Sequence, residues 1–252
     1  MHSPLIRKSG KVTVIYSADF IIGRALEGLF EKDIKGRRKR HFHTVQNADA
    51  LFSHILTERV DSVVLNISAR ENTRLLCAIR RYSPALPVII TGHHHLFSDH
   101  VVAGWFGNIW LQEYNSLLAG YPDITPDTCV SDTRFAGTAC SGACGHRCPG
   151  GRNTFSALQH WLGERFRQRV SSRRGAAIVL DWLAPGLSPQ EAASELGRSV
   201  KVVYHYRWRI MRELGLRSPA FELIPSVTLK EGDEPAGSLR KCRMQEKRSD
   251  NL

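Results

Sequence analysis

One stretch of this sequence, Leu187 to Leu216, constrains the fold more than any other. It opens on a capping box, because Ser188 is followed three positions later by Glu191, and such a pair satisfies the first free amides of a helix. A glycine then supplies a turn, and Ser199 is placed to cap a second helix from Val200 to about Leu214. The pattern predicts two short helices joined by a tight turn.

The second predicted helix has two contrasting faces. Val203, Ile210 and Leu214 recur at helical steps and predict an apolar face that packs against the first helix. The other positions are rich in cations and aromatic rings, which suits contact with the bases and phosphates of DNA. We therefore expect DNA contacts from Ser199, Val200, Lys201, Val202, Tyr204, His205, Arg207, Trp208, Arg209 and Arg212. The alternative is a solvated cationic helix on an ordinary helical bundle.

The segment from Ala184 to Leu216 resembles the C-terminal domain of LuxR-type and NarL-type transcriptional regulators. Gly186 to Ser188 stand at the Gly-x-Ser turn of that family, and the apolar positions match without a gap as far as Leu214. Val202 replaces the phosphate-contacting Thr of the family, and Tyr204 replaces a Lys. The resemblance implies the helix-turn-helix fold, but these departures mean that the DNA target of the family cannot be carried over.

The charge of the chain favours a polyanionic partner. Its 252 residues carry 35 Lys and Arg against 24 Asp and Glu, which gives a formal net charge of +11 and a pI near 9.7. Between Glu164 and Arg217, eleven Lys and Arg oppose five Asp and Glu, which leaves +6. About half of the excess thus lies on the predicted helix-turn-helix domain, and we expect double-stranded DNA as its partner.

Several other classes of protein are disfavoured. The sequence has no window long and apolar enough to span a membrane, and its polar start, MHSPLIRKSG, lacks the apolar region of a signal peptide. We therefore expect a cytoplasmic protein with no membrane partner. No substrate-pocket motif accompanies the possible metal ligands described below, so we expect no enzymatic activity.

The first 119 residues alternate between buried strands and helical stretches. This alternation predicts five strands, at Val12–Tyr16, His41–Val45, Asp61–Ile67, Pro87–Thr91 and Asn108–Trp110, with helices between them. Interleaving of this kind implies a parallel, doubly wound sheet, and before a helix-turn-helix it resembles the receiver domain of a response regulator. The expected fold is an α/β receiver-like (flavodoxin-like) N-terminal domain followed by an all-α LuxR-type helix-turn-helix C-terminal domain.

The resemblance to receivers allows the residues needed for phosphorylation to be compared position by position. Receivers place an acidic pair after the first strand, a phosphoacceptor Asp after the third, a Thr or Ser after the fourth and a Lys after the fifth. The corresponding residues here are Ser17 and Ala18 with Asp19 one step further, then Asn66, Thr91 and Leu111. A neutral amide cannot act as the carboxylate nucleophile, so the resemblance implies a degenerate receiver that is not phosphorylated on aspartate. Asp19 stays a candidate metal ligand.

A degenerate receiver joined to a LuxR-type domain resembles auxiliary regulators of the RcsA and BglJ kind. The resemblance implies a regulator that acts as a homodimer or as a heterodimer with a complete response regulator. Six residues of the last receiver-like elements are either such a pairing surface or simply core: Trp105, Phe106, Ile109, Trp110, Leu117 and Leu118. The alternative function is a protein-interaction modulator of a response regulator, with little DNA binding of its own.

We expect four parts of the chain: the receiver-like domain over 1–119, a Cys/Gly-rich linker over 120–155, the helix-turn-helix domain over 156–225 and a disordered basic tail over 226–252. The linker contains four cysteines, Cys129, Cys140, Cys144 and Cys148. Four thiols amid flexible glycines resemble the ligands of a zinc ion or an iron–sulfur cluster, with His146 as a substitute ligand. A redox-reactive cluster and an inert tether are the alternatives.

A group of histidines follows the fourth predicted strand: His93, His94, His95 and His100. Their number suggests metal binding, but receivers have an exposed, variable loop at this place. We therefore expect solvated histidines.

Overall fold

A five-stranded parallel sheet organises the N-terminal half of the chain. The computed structural model describes residues 10–31, 40–131 and 152–232. The strands are β1 (Lys11–Tyr16), β2 (Arg40–Val45), β3 (Ser62–Leu65), β4 (Val88–Gly92) and β5 (Ile109–Glu113). They lie in the order β2-β1-β3-β4-β5 and every pair is parallel. This is the flavodoxin-like order, so the predicted doubly wound sheet is confirmed.

Helices cover both faces of the sheet. They are α1 (Phe20–Glu31), α2 (Ala48–Thr57), α3 (Thr73–Tyr82), α4 (Phe97–Phe106) and α5 (Tyr114–Ala119). Neighbouring residues of a strand point to opposite faces of the sheet. Val63 lies in the apolar core with α2, α3 and α4, whereas Val64 lies in the core with α1 and α5. Burial on both faces explains why the strands read as continuous apolar runs.

The secondary-structure elements described in the C-terminal half are all helices. It contains α6 (Pro126–Ser131), α7 (Arg152–Arg169), α8 (Arg173–Ala177), a π-helical turn (Ile178–Leu183), α9 (Pro189–Glu195), α10 (Val200–Leu214) and α11 (Pro219–Val227). Helices α7 to α11 enclose a second apolar core in which Phe166, Val179, Val203 and Ile210 are fully buried. None of the helices in the described residues has both the length and the hydropathy for a membrane span.

Helix α7 belongs to both cores. Leu158 and Leu162, on its N-terminal part, are fully buried in the core of the receiver-like sheet, and Phe166 lies in the helical core. The rings of Trp161 and Trp105, from α7 and α4, lie 5.8 Å apart. The two folding units are thus packed against each other through one continuous helix.

The segment that follows α11 continues this contact. The backbone amide of Lys230 donates to the carbonyl of Arg70 at 3.0 Å, and the ammonium of Lys230 lies 2.9 Å from Glu71. Hydrogen bonding to Lys230 lowers the pKa of Glu71, and it outweighs the raising effect of burial. Residues 226–231, which we expected to be part of a disordered tail, are therefore structured: residues 226 and 227 belong to α11, and residues 229–231 contact the receiver-like unit. Residues 233–252 lie outside the described residues.

Helix α6 also differs from expectation, because it falls inside the predicted linker. It packs Cys129 against the α1 and α5 side of the sheet, among Ile15, Leu26 and Leu117. Pro126 of the same helix is buried as well. The receiver-like unit therefore extends beyond residue 119, as far as Ser131.

The last strand is longer than its apolar residues indicate. β5 continues to Glu113, which pairs with Gly92, while Leu111 pairs with Ile90 in the strand interior and is buried. The side chain at the carboxyl end of β5 is therefore that of Glu113. Our assignment of Leu111 to the end of the strand was wrong, because Gln112 and Glu113 are polar residues in a strand predicted from its apolar ones.

The expectation of solvated histidines is wrong for His95. This residue is buried under the start of α4, and its Nε2 atom has no hydrogen-bond partner among the described residues. Burial lowers the pKa of His95, since charging the ring there would cost solvation energy. His93 remains exposed, and its ring packs edge-on against Tyr114.

Most of the suggested pairing surface is core. Trp105, Phe106, Ile109 and Leu117 are buried, Trp110 is half-buried, and Leu118 is 64% exposed. Trp105 is covered by α7 of the same chain. Only part of this set therefore remains open to a partner.

Candidate nucleic-acid interface

The two helices of the predicted helix-turn-helix form as their sequence dictates. The amide of Glu191 donates to the hydroxyl of Ser188 at 3.3 Å, and the carboxylate of Glu191 accepts from the amide of Ser188 at 2.8 Å. These reciprocal bonds form the capping box that starts α9. Gly197 takes a left-handed conformation (φ 58°) in the turn, and Gly215 takes another (φ 66°) at the end of α10.

The apolar face of α10 is seated directly on α8. Val203 and Ile210 are fully buried. A Cβ atom added at Gly175 would lie 3.0 Å from Cδ1 of Ile210 and 3.1 Å from Cδ1 of Tyr206. The close approach of α8 and α10 therefore depends on the missing side chain at Gly175.

The opposite face of α10 carries most of the predicted DNA-binding residues. Exposed residues are Ser199, Lys201, Val202, Tyr204, His205, Trp208, Arg209 and Arg212, whereas Val200 and Arg207 are half-buried. The exposed fractions of Tyr204 and Trp208 are 45% and 54%, high values for aromatic side chains. The structure thus brings these residues onto one helix and exposes a basic, aromatic surface.

Two arginines on this face differ in their surroundings. The guanidinium of Arg212 lies over the ring of Trp208, 4.7 Å from its centroid. The guanidinium of Arg209 donates hydrogen bonds to the carboxylate of Glu213 at 3.0 Å and to the hydroxyl of Ser171 at 2.7 Å. The hydroxyl of Ser171 and the guanidinium of Arg209 together hold the pKa of Glu213 below its usual range. Arg209 therefore anchors α10 to the end of α7, a role that its sequence position did not reveal.

The exposed face of α10 also frames a shallow recess of about 410 Å³. His205, Trp208, Arg209, Arg212 and Glu213 line it. Ser199 stands at the start of the helix, but its side chain makes no capping hydrogen bond, contrary to our prediction. The residue is exposed to solvent instead.

The contact with the receiver-like unit leaves this face uncovered within the described part of the chain. That contact uses α7, α11 and the residues next to them. The hydroxyl of Ser98 on α4 donates to the carbonyl of Pro225 in α11 at 2.8 Å, and the rings of Phe97 and Phe166 lie 6.2 Å apart. The two units are therefore joined on the side away from the exposed face of α10.

The carboxyl edge of the sheet holds a chain of neutral hydrogen bonds. The amide of Asn66 donates to Ser17 Oγ at 3.0 Å, and the hydroxyl of Tyr114 donates to Asn66 Oδ1. Ser17 in turn donates to the carbonyl of Asp19 at 2.7 Å. Burial raises the pKa of Tyr114, with a smaller effect from Asp19. The sequence pattern did not indicate Tyr114, because it placed the end of β5 too early.

Asp19, our candidate metal ligand at this edge, has a structural role. Its Oδ1 atom accepts from the amides of Ile21 and Ile22, at 2.8 and 3.2 Å, and so caps the start of α1. Thr91 is fully buried, and its hydroxyl has no hydrogen-bond partner among the described residues. The described edge therefore keeps the threonine of receivers at Thr91, but it offers the neutral amide of Asn66 where receivers have a carboxylate nucleophile.

The four cysteines of the predicted metal site are described only in part. Cys129 is buried at 1% exposure in the apolar core under α6. Cys140, Cys144 and Cys148 lie outside the described residues. The zinc or iron–sulfur site therefore stays a prediction, and one of its four predicted ligands, Cys129, is buried away from solvent.

Comparison with known proteins finds relatives by fold alone. No protein-family model matches the sequence, and no curated protein sequence matches it. A structure of two RcsB dimers bound to two parallel DNAs is 16% identical, covers 87% of this chain and 98% of its own, and has a TM-score of 0.53. A complex of the two-component response regulator RcsB with DNA is 15% identical, covers 87% of this chain and all of its own, and has a TM-score of 0.54. The chain thus has the fold of RcsB-type response regulators, a receiver followed by a LuxR-type DNA-binding domain.

Proposed function

We propose that this protein is a DNA-binding transcriptional regulator that reads double-stranded DNA with α10. The observation that carries the proposal is the exposed basic and aromatic face of a helix whose apolar face is buried against α8 and α9. A helix of 15 residues is roughly 22 Å long, and the major groove admits a helix of this kind. The fold shared with the DNA-bound RcsB structures supports the same conclusion.

The exposed residues of α10 fall into two groups, those that contact phosphates and those that contact bases. Lys201 and Arg212 bind phosphates, whereas Tyr204, His205 and Trp208 reach base edges or thymine methyl groups. Arg209 contributes mainly by anchoring the helix, since Glu213 and Ser171 hold its guanidinium. The binding energy therefore comes from a few cations and three rings.

Dimerisation and independence of phosphorylation are the features by which we propose that the regulator is controlled. The protein acts as a homodimer, or as a heterodimer with a complete response regulator, and the RcsB dimers on DNA support the first arrangement. Its activity is independent of phosphorylation, because an amide at Asn66 cannot form an acyl phosphate. Control then comes from partner choice, from the linker cysteines or from the amount of protein.

The salt dependence of DNA binding tests the DNA-reading role. We expect the affinity of the full chain for genomic fragments that contain its site to fall steeply as salt rises, because phosphate contacts release counterions. Lys201→Ala or Arg212→Ala should each weaken binding and reduce the salt slope by about one. The matched control is Arg24→Ala, which removes an exposed cation from α1.

The result that would contradict this role is no binding to any genomic fragment, with or without a response-regulator partner. That outcome would favour the second candidate, a protein-interaction modulator. One observation supports this candidate: Tyr204 and Trp208, four positions apart on α10, expose aromatic surface on the same face. Under that function Tyr204→Ala and Trp208→Ala should weaken partner binding in a pull-down with purified response regulators, whereas Lys201→Ala should not.

A further inference from the structure

Two histidines and a glutamate come together at the edge of the sheet, on the side away from the helix-turn-helix. His43 lies on β2, the edge strand, whereas His54 and Glu58 belong to the last turn of α2 and its C-cap. The spacing of four residues places His54 and Glu58 on one face of the helix. Because α2 follows β2 directly, the short connection brings all three side chains to one place.

The ligand atoms of this cluster are close together. His54 Nδ1 lies 3.1 Å from Glu58 Oε1, and His43 Nε2 lies 3.4 Å from Glu58 Oε2. One nitrogen or oxygen ligand atom from each of the three residues lies within 4.8 Å of the others. The two imidazole rings are stacked, with centroids 4.5 Å apart.

The two nitrogen-to-oxygen distances, 3.1 and 3.4 Å, are close to those between neighbouring ligands of a small tetrahedral ion. Zinc bonds of about 2.0–2.2 Å to nitrogen and oxygen place neighbouring ligand atoms about 3.3–3.6 Å apart. Two imidazoles and one carboxylate are also a common ligand set for zinc, with a water molecule as the fourth ligand. The side chains are between 26% and 39% exposed, so an ion can enter and water can reach it.

The alternative is a carboxylate that simply lies between two histidines, with a hydrogen bond to His54 and a contact of 3.4 Å with His43. Helix α7 offers a comparison, since His160 and Glu164 repeat the spacing of His54 and Glu58 with 4.0 Å between Nδ1 and Oε1. Among the described residues no third ligand completes that pair. His43 therefore distinguishes the cluster on α2 from an ordinary helical pair.

We propose that His43, His54 and Glu58 form a zinc-binding site that ties the edge strand β2 to the end of α2. Binding requires the two rings to rotate out of their stack until their lone pairs converge, and their partial exposure leaves room for this. Metal bonds replace the hydrogen bond between His54 and Glu58 and the contact between His43 and Glu58. A site of this kind stabilises the receiver-like unit whenever zinc is present, because the ion binds the folded chain.

Zinc titration of the full chain tests the proposal. The four cysteines that lie outside the described residues are first replaced, as Cys140→Ser, Cys144→Ser, Cys148→Ser and Cys242→Ser, so that none of these thiols can bind the zinc. In this background we expect one zinc ion per chain, measured by competition with a chromophoric chelator, and a zinc-dependent rise in Tm. His54→Gln should lower the zinc affinity at least about tenfold, since loss of a direct ligand costs no less than loss of its supporting groups.

The matched control is His160→Gln, which should leave the zinc affinity and the zinc-dependent rise in Tm unchanged. A second measurement uses the wild-type chain: zinc should protect His43 and His54 from diethyl pyrocarbonate, and leave His160 reactive, as mapped by mass spectrometry. The proposal is overturned if zinc affinity is the same in His54→Gln as in its parent, or if zinc gives His43 and His54 no protection.

Discussion

Arg217 and Glu113 form an ion pair at 3.0 Å that joins the segment after α10 to the end of β5. The same carboxylate accepts a hydrogen bond at 2.8 Å from His94. Burial alone would raise the pKa of Glu113, but the hydrogen bonds from His94 and Arg217 hold it below its ordinary value of 4.5. The last strand of the receiver-like sheet is thus tied electrostatically to the helix-turn-helix unit.

The ion pair predicts a stability that depends on pH. A carboxylate with a lowered pKa stabilises the folded chain above its ordinary value, and the contribution is lost as the pH falls below 4.5 and through the folded pKa. Because Arg217 is 58% exposed, we expect Glu113→Gln to lower the free energy of unfolding at pH 7 by only about 0.5–1 kcal/mol. This difference should shrink towards zero in acid.

Urea unfolding of both chains between pH 7 and pH 3 measures this effect. Glu195→Gln, which removes an exposed carboxylate on α9, controls for the change in net charge. A difference between Glu113→Gln and wild type that stays constant down to pH 3 would show that the ion pair contributes nothing.

The side chain of Phe97 is expected to couple the unfolding of the receiver-like unit to that of the helix-turn-helix unit. This side chain contacts both apolar cores, and its ring packs against Phe166. Because Phe97 is only half-buried, Phe97→Ala should cost about 2–3 kcal/mol, less than the truncation of a fully buried phenylalanine. In calorimetry we expect the wild-type chain to unfold in a single thermal transition and Phe97→Ala to unfold in two.

Leu118→Ala is the control for this experiment. It truncates a side chain that is 64% exposed, so it should change the free energy of unfolding by less than about 0.5 kcal/mol. If Phe97→Ala unfolds in one transition at the wild-type temperature, the contact between the units adds no stability.

The amide at Asn66 predicts insensitivity to phosphoryl donors. We expect acetyl phosphate and beryllofluoride to leave DNA binding unchanged, because Asn66 supplies no carboxylate and Asp19 is occupied as the cap of α1. Mass spectrometry should find no acid-labile phosphate on the chain. A single phosphorylated aspartate whose formation changes DNA affinity would contradict the prediction.

The sequence predicted the helix-turn-helix better than any other part. The bounds of α10 and the capping box of Ser188 and Glu191 follow from local chemistry, which neighbouring residues specify by themselves. The order of strands and helices followed in the same way from periodicity. The end of β5 did not, because its last residue is the charged Glu113.

Contacts between distant residues had no sequence signature. Phe97 looks like an ordinary first residue of a helix, and nothing in its neighbourhood indicates that it packs against Phe166. The burial of His95 was missed because a run of histidines resembles a solvated loop, whereas α4 covers this ring. Arg209 looked like one more cation for phosphates until its contacts with Glu213 and Ser171 were visible.

The absence of a side chain at Gly175 allows α10 to pack closely against α8. A side chain at this position would meet Ile210 and Tyr206 at 3.0 and 3.1 Å, and both belong to the helix that we propose to read DNA. Gly175→Val must therefore displace α10 or force these side chains out of their rotamers, and we expect a loss of about 1–3 kcal/mol of stability. Because the helix moves, DNA affinity should fall even though no DNA-facing residue has changed.

Gly163 supplies the matched control in α7. A Cβ atom there would meet its nearest neighbour at 3.5 Å, an ordinary contact, so Gly163→Ala should stabilise the chain by about 0.5–1 kcal/mol through its better helix propensity. Urea unfolding and DNA titration of the two variants separate a packing effect from a general sensitivity to glycine replacement. If Gly175→Val binds DNA with wild-type affinity and stability, the seating of α10 on α8 does not determine the position of the reading face.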